Sequence, residues 1–376
     1  MEKQDYVKAL QCTGPNKLEL VKFPKPVPDC NSALLKIKYC GICGSDLHGI
    51  EGKRSIKFPF IPGHEIVAVV ESLGENAQNS INYFGGARIE AGDRVTVNPR
   101  IVCGKCFYCK NYPTRQELCL NVISSTGIGS SNPPYLFGGW AEYIYVLPSS
   151  DIIKLPDSLP DEIAVLAEPF TCAVGCIDRY RNDHVWASGD AFAINDTIVV
   201  YGVGAIGMLM VAGFHLAGAK QIVAIDTDEN RLELSKEFGA TTTINIKNTD
   251  ESGRIKTIRD LTGGIGAGVV VEACGVPKTI NEGIKTLRRG GKLFEVGHAF
   301  DAGMAEVDPF FICRNEIEII GYYAYPSSSS MNYAVKLLDE HELPYEKLVR
   351  SFSLDDYADV IYNKNTGGII KPVFKI

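Results

Sequence analysis

The chain has 376 residues, 45% of them apolar and 22% charged, with a formal net charge of −7. That length fills about two domains with cores of their own. The acidic balance, with no cluster of Lys and Arg, argues against nucleic acid or anionic membrane as a partner, because both reward concentrated positive charge.

The first residues, Met1-Glu2-Lys3-Gln4-Asp5, are polar and lack the apolar core of a signal peptide. The expected setting is therefore the cytoplasm, where the 12 cysteines serve as thiols or metal ligands and not as disulfides. Residues 7 to 150 carry short strands, many prolines and glycines and little helical periodicity, which predicts a β-rich domain. Two metal-competent sets fall within it. Cys43, His64 and Glu65 form a mixed S/N/O set that can leave a coordination position for water or substrate. Cys103, Cys106, Cys109 and Cys119 offer thiolates alone and can close a tetrahedral shell. Two zinc sites are thus implied, one chemical and one structural. Closely spaced cysteines also hold iron–sulfur clusters, but the short fourth spacing is missing here. Cys40 and Cys43 make a CxxC pair without thioredoxin-like context, so Cys40 reads as a buried strand residue. Cys12, Cys30, Cys172, Cys176, Cys274 and Cys313 have no partner spacing and are expected to be small buried hydrophobes.

The β-branched run Asp196 to Tyr201 leads directly into Gly202-Val203-Gly204-Ala205-Ile206-Gly207, a GxGxxG between a strand and a helix. Gly202 permits the tight turn, Gly204 lets the backbone approach a pyrophosphate, and Gly207 lets the helix pack on the strand. The pyrophosphate then meets N-terminal amides of the helix, near Ala205 and Ile206. On hydropathy alone, Ile198 to Ala219 could pass for a membrane span, but its glycines have this better explanation. A second strand, Gln221 to Ile225, delivers Asp226 19 positions after Gly207, where a carboxylate should bind the adenine-ribose hydroxyls. Asp226 and the neighbouring Asp228 would repel a 2'-phosphate, which favours NAD over NADP. Arg231 is the reservation, since it could pair with a phosphate, lie along the adenine or pair with a nearby acid. Helices at 231–238, 254–262 and 278–287 alternate with strands at 243–246, 269–272 and 292–296, the last after a Gly290-Gly291 turn. That alternation means a doubly wound parallel sheet. Ser327 to Ser330 reads as a loop or linker.

The chain resembles the zinc-containing medium-chain alcohol dehydrogenases over nearly its whole length. The resemblance rests on Cys43-Gly44-Ser45-Asp46-Leu47-His48, Gly63-His64-Glu65, the four-cysteine lobe, Gly139-Trp140-Ala141-Glu142-Tyr143, Glu168-Pro169 and Gly202 to Gly207. It is most similar to the polyol, sugar and threonine dehydrogenase branch, because Glu168-Pro169 stands where other members place a cysteine ligand. The implied fold is α/β, a Rossmann coenzyme domain at 170–322 and a discontinuous, β-rich GroES-like catalytic domain at 1–169 and 323–376. The implied site has zinc on Cys43, His64 and a carboxylate, which is Glu65, Glu168 or both. Asp46 orients a ligand imidazole, and a proton relay runs from Ser45 through the cofactor ribose to His48. Loops near Ile50, Glu51, Arg100 and His298 are expected to line the substrate pocket.

The implied activity interconverts a secondary alcohol, of a polyol, sugar, cyclitol or related hydroxy compound, with its ketone, passing hydride to or from NAD. An NADPH-dependent aldehyde or ketone reductase, or a nucleotide-binding protein without catalysis, are the alternatives. A homodimer or homotetramer is implied, with Ile317 to Tyr322 able to pair strands between subunits. Three features depart from the family. Nine residues separate Cys109 from Cys119 where the family has fewer, and insertions lie around Gln78 to Glu90 and Tyr180 to Ala193.

Overall fold

The structure is a computed structural model that describes residues 5–86, 88–182, 196–298, 301–323, 327–340, 343–363 and 368–376. It divides into two compact units, Met1–Thr171 with Tyr325–Ile376, and Cys172–Ala324.

The first unit is built on an eight-stranded sheet. Its strands run in the order Val349–Ser353, Lys371–Lys375, Ala33–Gly41, Ile66–Leu73, Arg94–Val97, Asp151–Lys154 and Asn82–Phe84, with Tyr143–Val146 also on Ala33–Gly41. The alternation of Ala33–Gly41 sends Leu35 and Ile37 into a core shared with Leu10, Ile66, Ile144 and Phe374. Trp140 lies at its centre, fully buried, edge-on to Phe374 at 5.1 Å and donating its indole N–H to the Gly41 carbonyl at 3.3 Å. Cys40 is a fully buried strand residue, as expected. The stretch 78–90 contributes the end of the short helix Ala77–Ser80 and the strand Asn82–Phe84, which adds to the sheet parallel to Asp151–Ile153. Residues 183–193 of the other apparent insertion lie outside the described residues.

Ser327 to Ser330 are not a linker. They open the helix Ser328–Asp339, with the Ser327 hydroxyl accepting from the Ser330 N–H at 3.2 Å. Serine favours an N-cap as much as a loop, and the buried stripe Met331, Ala334, Val335 and Leu338 decides between them.

The second unit carries a six-stranded parallel sheet. Its strands are β1 (Thr197–Tyr201), β2 (Gln221–Asp226), β3 (Thr242–Asn245), β4 (Ala267–Glu272), β5 (Leu287–Glu295) and β6 (Glu318–Gly321), in the order β3-β2-β1-β4-β5-β6. This is the doubly wound order, in which two halves start side by side and wind outwards. The connecting helices begin where the sequence supplies caps. Asp228 accepts from the N–H groups of Asn230 and Arg231 ahead of Glu229–Glu237, and Asp250 accepts from Gly253 ahead of Glu251–Leu261. Arg254 pairs in fork geometry with Glu282 at 2.6 and 2.7 Å, and the Tyr201 hydroxyl joins the same carboxylate at 3.1 Å.

The Gly290-Gly291 pair does not end one element and start another. It lies within β5, where the pairing with β4 shifts register after Ala267 and Gly290 takes a φ of +65°. Among the described residues, no helix is long and apolar enough to cross a membrane. All 12 cysteines are free of disulfides. Cys12, Cys172 and Cys176 are buried as expected, but Cys30, Cys274 and Cys313 are exposed. These three follow β4 or lie on a turn and a short helix, where the chain runs along the surface and burial is not enforced.

Candidate active site

The helix Gly44–Ile50 starts at its N-cap residue Cys43, whose backbone is extended (φ −97°, ψ 151°). Asp46, on the first turn, is buried and ties the start of its own helix to the Gly63–His64 segment. One oxygen accepts from the Cys43 N–H at 3.0 Å, and the other accepts from the Gly63 N–H at 3.1 Å and meets His64 Nδ1 at 3.1 Å. Gly63 is required by its φ of +92° and because a Cβ there would run into Trp140. Its left-handed turn lets the adjacent His64 and Glu65 serve one site, which a regular strand would send to opposite faces.

Burial works against charge on both partners. Even so, the His64 imidazole and two backbone N–H groups hold the Asp46 carboxyl below its usual range, and Asp46 holds His64 well above the ordinary histidine value. Because Nδ1 is engaged by Asp46, Nε2 is the ring nitrogen left for a metal, the arrangement in which a carboxylate orients a ligating histidine. Ligand atoms of Cys43, His64 and Glu65 lie within 4.8 Å of one another. Glu65 is buried, and its Oε1 accepts from Lys371 Nζ at 2.5 Å, while its Oε2 is enclosed without a partner among the described residues. A carboxylate oxygen enclosed in that way is costly unless a cation meets it, and a mixed S/N/O donor set suits zinc.

The Glu168 carboxylate is not among the atoms that converge there. It lies on the first turn of the helix Ala167–Asn182, and burial raises its pKa to about 7, partly offset by His64. A carboxyl raised in this way contributes stability that is complete below its unfolded value and lost as pH rises through about 7. Metal-free protein is therefore expected to lose stability between roughly pH 5 and 8, and Glu168→Gln to flatten that slope. Denaturant unfolding across the range tests this, and parallel slopes for the two proteins would contradict it.

Lys371 could not be found from local sequence. It is fully enclosed, 306 positions from Glu65 along the chain, and also donates to the Ile42 carbonyl at 3.4 Å. Burial disfavours its charge, yet the Glu65 carboxylate and the neighbouring Cys43 and Glu168 raise its pKa.

Ser45 and His48 lie three residues apart on Gly44–Ile50, and His48 Nδ1 is 3.5 Å from the Glu51 carboxylate. Ile50 and Arg100 are buried, while Glu51 is exposed.

The four cysteines also converge, with ligand atoms within 4.8 Å of one another. Cys119 is included, since the helix Phe107–Asn111 and the short 3-10 turn Gln116–Leu118 take up the longer spacing. Its sulfur accepts from the Cys103 N–H at 3.4 Å. Backbone N–H donors, chiefly that of Lys105, pull the Cys103 thiol down to about 6, which favours the thiolate a metal needs.

In the second unit, Gly202 has a φ of +83° and lies against Cys274 so closely that a Cβ would overlap it. Gly204 caps the helix Ala205–Leu216, so the first amides of that helix, from Ala205, Ile206 and Gly207, have no intrahelical acceptor. Asp226 ends β2 and is buried. One oxygen accepts from the Val203 N–H at 2.8 Å, the other from Thr227 at 2.7 Å and Asp228 at 3.0 Å. Arg231 brings its guanidinium over Gly204, at 3.9 Å from where a Cβ would be, and its Nε is enclosed without a partner among the described residues.

Residues 29–157 match the alcohol dehydrogenase GroES-like domain, and 205–340 match the zinc-binding dehydrogenase domain. Sorbitol dehydrogenase of Bacillus subtilis is 34% identical over 81% of this chain and 78% of its own length. L-threonine 3-dehydrogenase of Aeromonas hydrophila is 32% identical over 74% of this chain and 73% of its own. The solved alcohol dehydrogenase of Thermotoga maritima superposes with a TM-score of 0.89 over 98% of this chain and 99% of that one; at 24% identity this likeness is one of fold. The chain belongs to the zinc-containing medium-chain alcohol and polyol dehydrogenases. Its chemistry is zinc-dependent oxidoreduction between an alcohol and a carbonyl compound.

Proposed function

We propose that the chain is a cytoplasmic, NAD-dependent dehydrogenase of a secondary alcohol carried by a polyol, sugar, cyclitol or related hydroxy compound. The observation that carries this reading is the convergence of Cys43, His64 and Glu65 around an unpartnered Glu65 oxygen, in a chain that also holds a dinucleotide loop. The relatives named for sorbitol and threonine support a small, polar, hydroxylated substrate.

Cys43, His64 and Glu65 would hold the catalytic zinc, and the four cysteines a structural one. Zinc held by the mixed set supplies a Lewis acid that lowers the pKa of an alcohol hydroxyl. Asp46 fixes the tautomer and direction of His64. Ser45 takes the alcohol proton, and His48, its i,i+3 neighbour on the same helix, carries it towards water. His48→Ala is expected to lower turnover by roughly 10²-fold, with partial recovery in concentrated small buffer bases. Unchanged turnover, or a loss that no buffer relieves, would argue against the relay.

Asp226 supports NAD, because three backbone N–H groups fix its carboxylate where a 2'-phosphate would add like charge. Arg231, whose guanidinium lies over Gly204, is the counterweight. The deciding experiment compares NAD and NADP reduction by zinc-loaded protein across polyols, sugars, cyclitols, threonine and simple secondary alcohols. Turnover with NAD on one subset is expected, and Asp226→Ser should narrow the preference for NAD by about ten-fold or more. Faster turnover with NADP would favour the reductase reading, and binding of NADH with no turnover on any substrate would favour a non-catalytic one. A homodimer or homotetramer is supported by the edge position of β6 and the exposure of Ile319 on it.

A further inference from the structure

The doubly wound order makes β4, β5 and β6 the counterparts of β1, β2 and β3, each triplet forming one mononucleotide-binding half. Asp226 is the last residue of β2, the second strand of the first half, and Glu295 is the last residue of β5, the second strand of the other. The parallel extends to how each acid is held. Asp226 takes backbone N–H groups from the residues just after it. Glu295 Oε1 likewise takes the His298 backbone N–H at 3.2 Å and His298 Nδ1 at 2.6 Å. Its Oε2 is enclosed and has no partner among the described residues.

The other acid of this cluster is not available in the same way. Glu272, which ends β4 and pairs in register with Glu295, is fully buried and saturated. It accepts from the N–H groups of Cys274, Gly275 and Val276, from the Thr279 hydroxyl at 3.0 Å and from the Cys274 thiol at 2.6 Å. It closes the turn after β4 and stands 3.6 Å from His298, so the imidazole is gripped between two carboxylates. Of the two acids, Glu295 is the one that keeps an oxygen without a donor among the described residues. An unmet carboxylate oxygen of this kind costs stability until a ligand supplies a hydroxyl or a cation.

We propose that Glu295, oriented by His298, is a second ribose-binding carboxylate of the coenzyme unit, which accepts from the hydroxyls of the ribose attached to nicotinamide. This rests on the dinucleotide reading above and extends it to the half of the cofactor that the GxGxxG and Asp226 leave without an acid. Asp226 would discriminate at the adenosine end, and Glu295 would fix the ribose next to the reacting ring.

The test uses full-length, zinc-loaded protein and three probes, ADP, ADP-ribose and NADH, measured by calorimetry. ADP has no second ribose, whereas the other two do. Glu295→Ala is expected to weaken ADP-ribose and NADH by roughly ten- to hundred-fold and to leave ADP unchanged. Glu295→Gln, which keeps the shape, is expected to give a smaller loss in the same pattern. ADP-ribose bound as tightly by both variants as by the parent protein overturns the proposal. So does loss of one equivalent of bound metal from the Glu295 variants with all three affinities intact, because the cluster of Glu272, Glu295 and His298 would then be a cation site. If Glu295→Ala also loses ADP, its fold is at fault and Glu295→Gln decides between the same outcomes. Parent protein that binds none of the probes removes the dinucleotide reading and this inference with it.

Discussion

Cys43→Ala is expected to remove one equivalent of metal and essentially all turnover, while the metal of the four-cysteine lobe stays. Cys43 is the only sulfur in the mixed set, and its loss leaves one nitrogen and one carboxylate ligand for zinc. Lewis-acid stabilisation of the reacting oxygen is worth several kcal/mol, so turnover should fall by at least about 10³-fold. The fold should survive the change, because the ties that hold this region run through the backbone. Asp46 accepts from the N–H groups of Cys43 and Gly63, and neither depends on the Cys43 thiol. Metal analysis together with kcat checks both halves of the expectation. The reciprocal change, Cys106→Ser, should cost the other metal equivalent. An active Cys43→Ala protein that had lost its metal from the four-cysteine lobe would falsify the assignment of roles to the two sets.

What could be read from the sequence is what short spacing dictates. The strand, GxGxxG and helix from Thr197 to Leu216, and the acid at the end of the next strand, are local patterns with one compatible geometry. The four-cysteine lobe is similar: ligands within a few residues of one another must be close in space, and two short helical turns absorb the extra length before Cys119. Where the reading failed, competing local meanings were decided by packing. Ser327 to Ser330 has the composition of a linker, and only the buried stripe of Met331, Ala334 and Leu338 identifies it as a helix start. Gly290-Gly291 could end a strand or distort one, and pairing with β4 settles it as a distortion. Cys274 and Cys313 have the composition of core residues but lie where the chain meets solvent.

The choice between Glu65 and Glu168 was not legible at all. Both are acids next to a recognisable motif, and nothing in spacing says which carboxylate reaches Cys43 and His64. The geometry supports Glu65, because its oxygen joins the cluster while Glu168 stays outside it. It also introduces Lys371, which lies in a C-terminal strand without any local signature. Long-range pairing of this kind is set by the sheet, in which Lys371–Lys375 lies beside Ala33–Gly41.

Lys371→Met is therefore expected to have a large effect that depends on metal. Without metal, Glu65 would be left with neither oxygen partnered in a buried site, since Oε2 already has no partner among the described residues. Removing one member of a buried ion pair costs about 3–5 kcal/mol, most of it from the stranded charge and not from the contact itself. With zinc present, the stranded carboxylate regains a counter-charge through its other oxygen, so much of that loss should be recovered. Binding adds further stabilisation of the native state by mass action. Unfolding midpoints in urea, measured with a chelator and then with zinc, should separate the two conditions. The difference between variant and parent should be large in the first and shrink clearly in the second. Equal differences in both would mean that Glu65 does not face the metal, and Glu168 would become the better candidate for the carboxylate ligand. No difference in either would mean that the Lys371–Glu65 contact does not hold the site together, and the role given to the last strand would have to be abandoned.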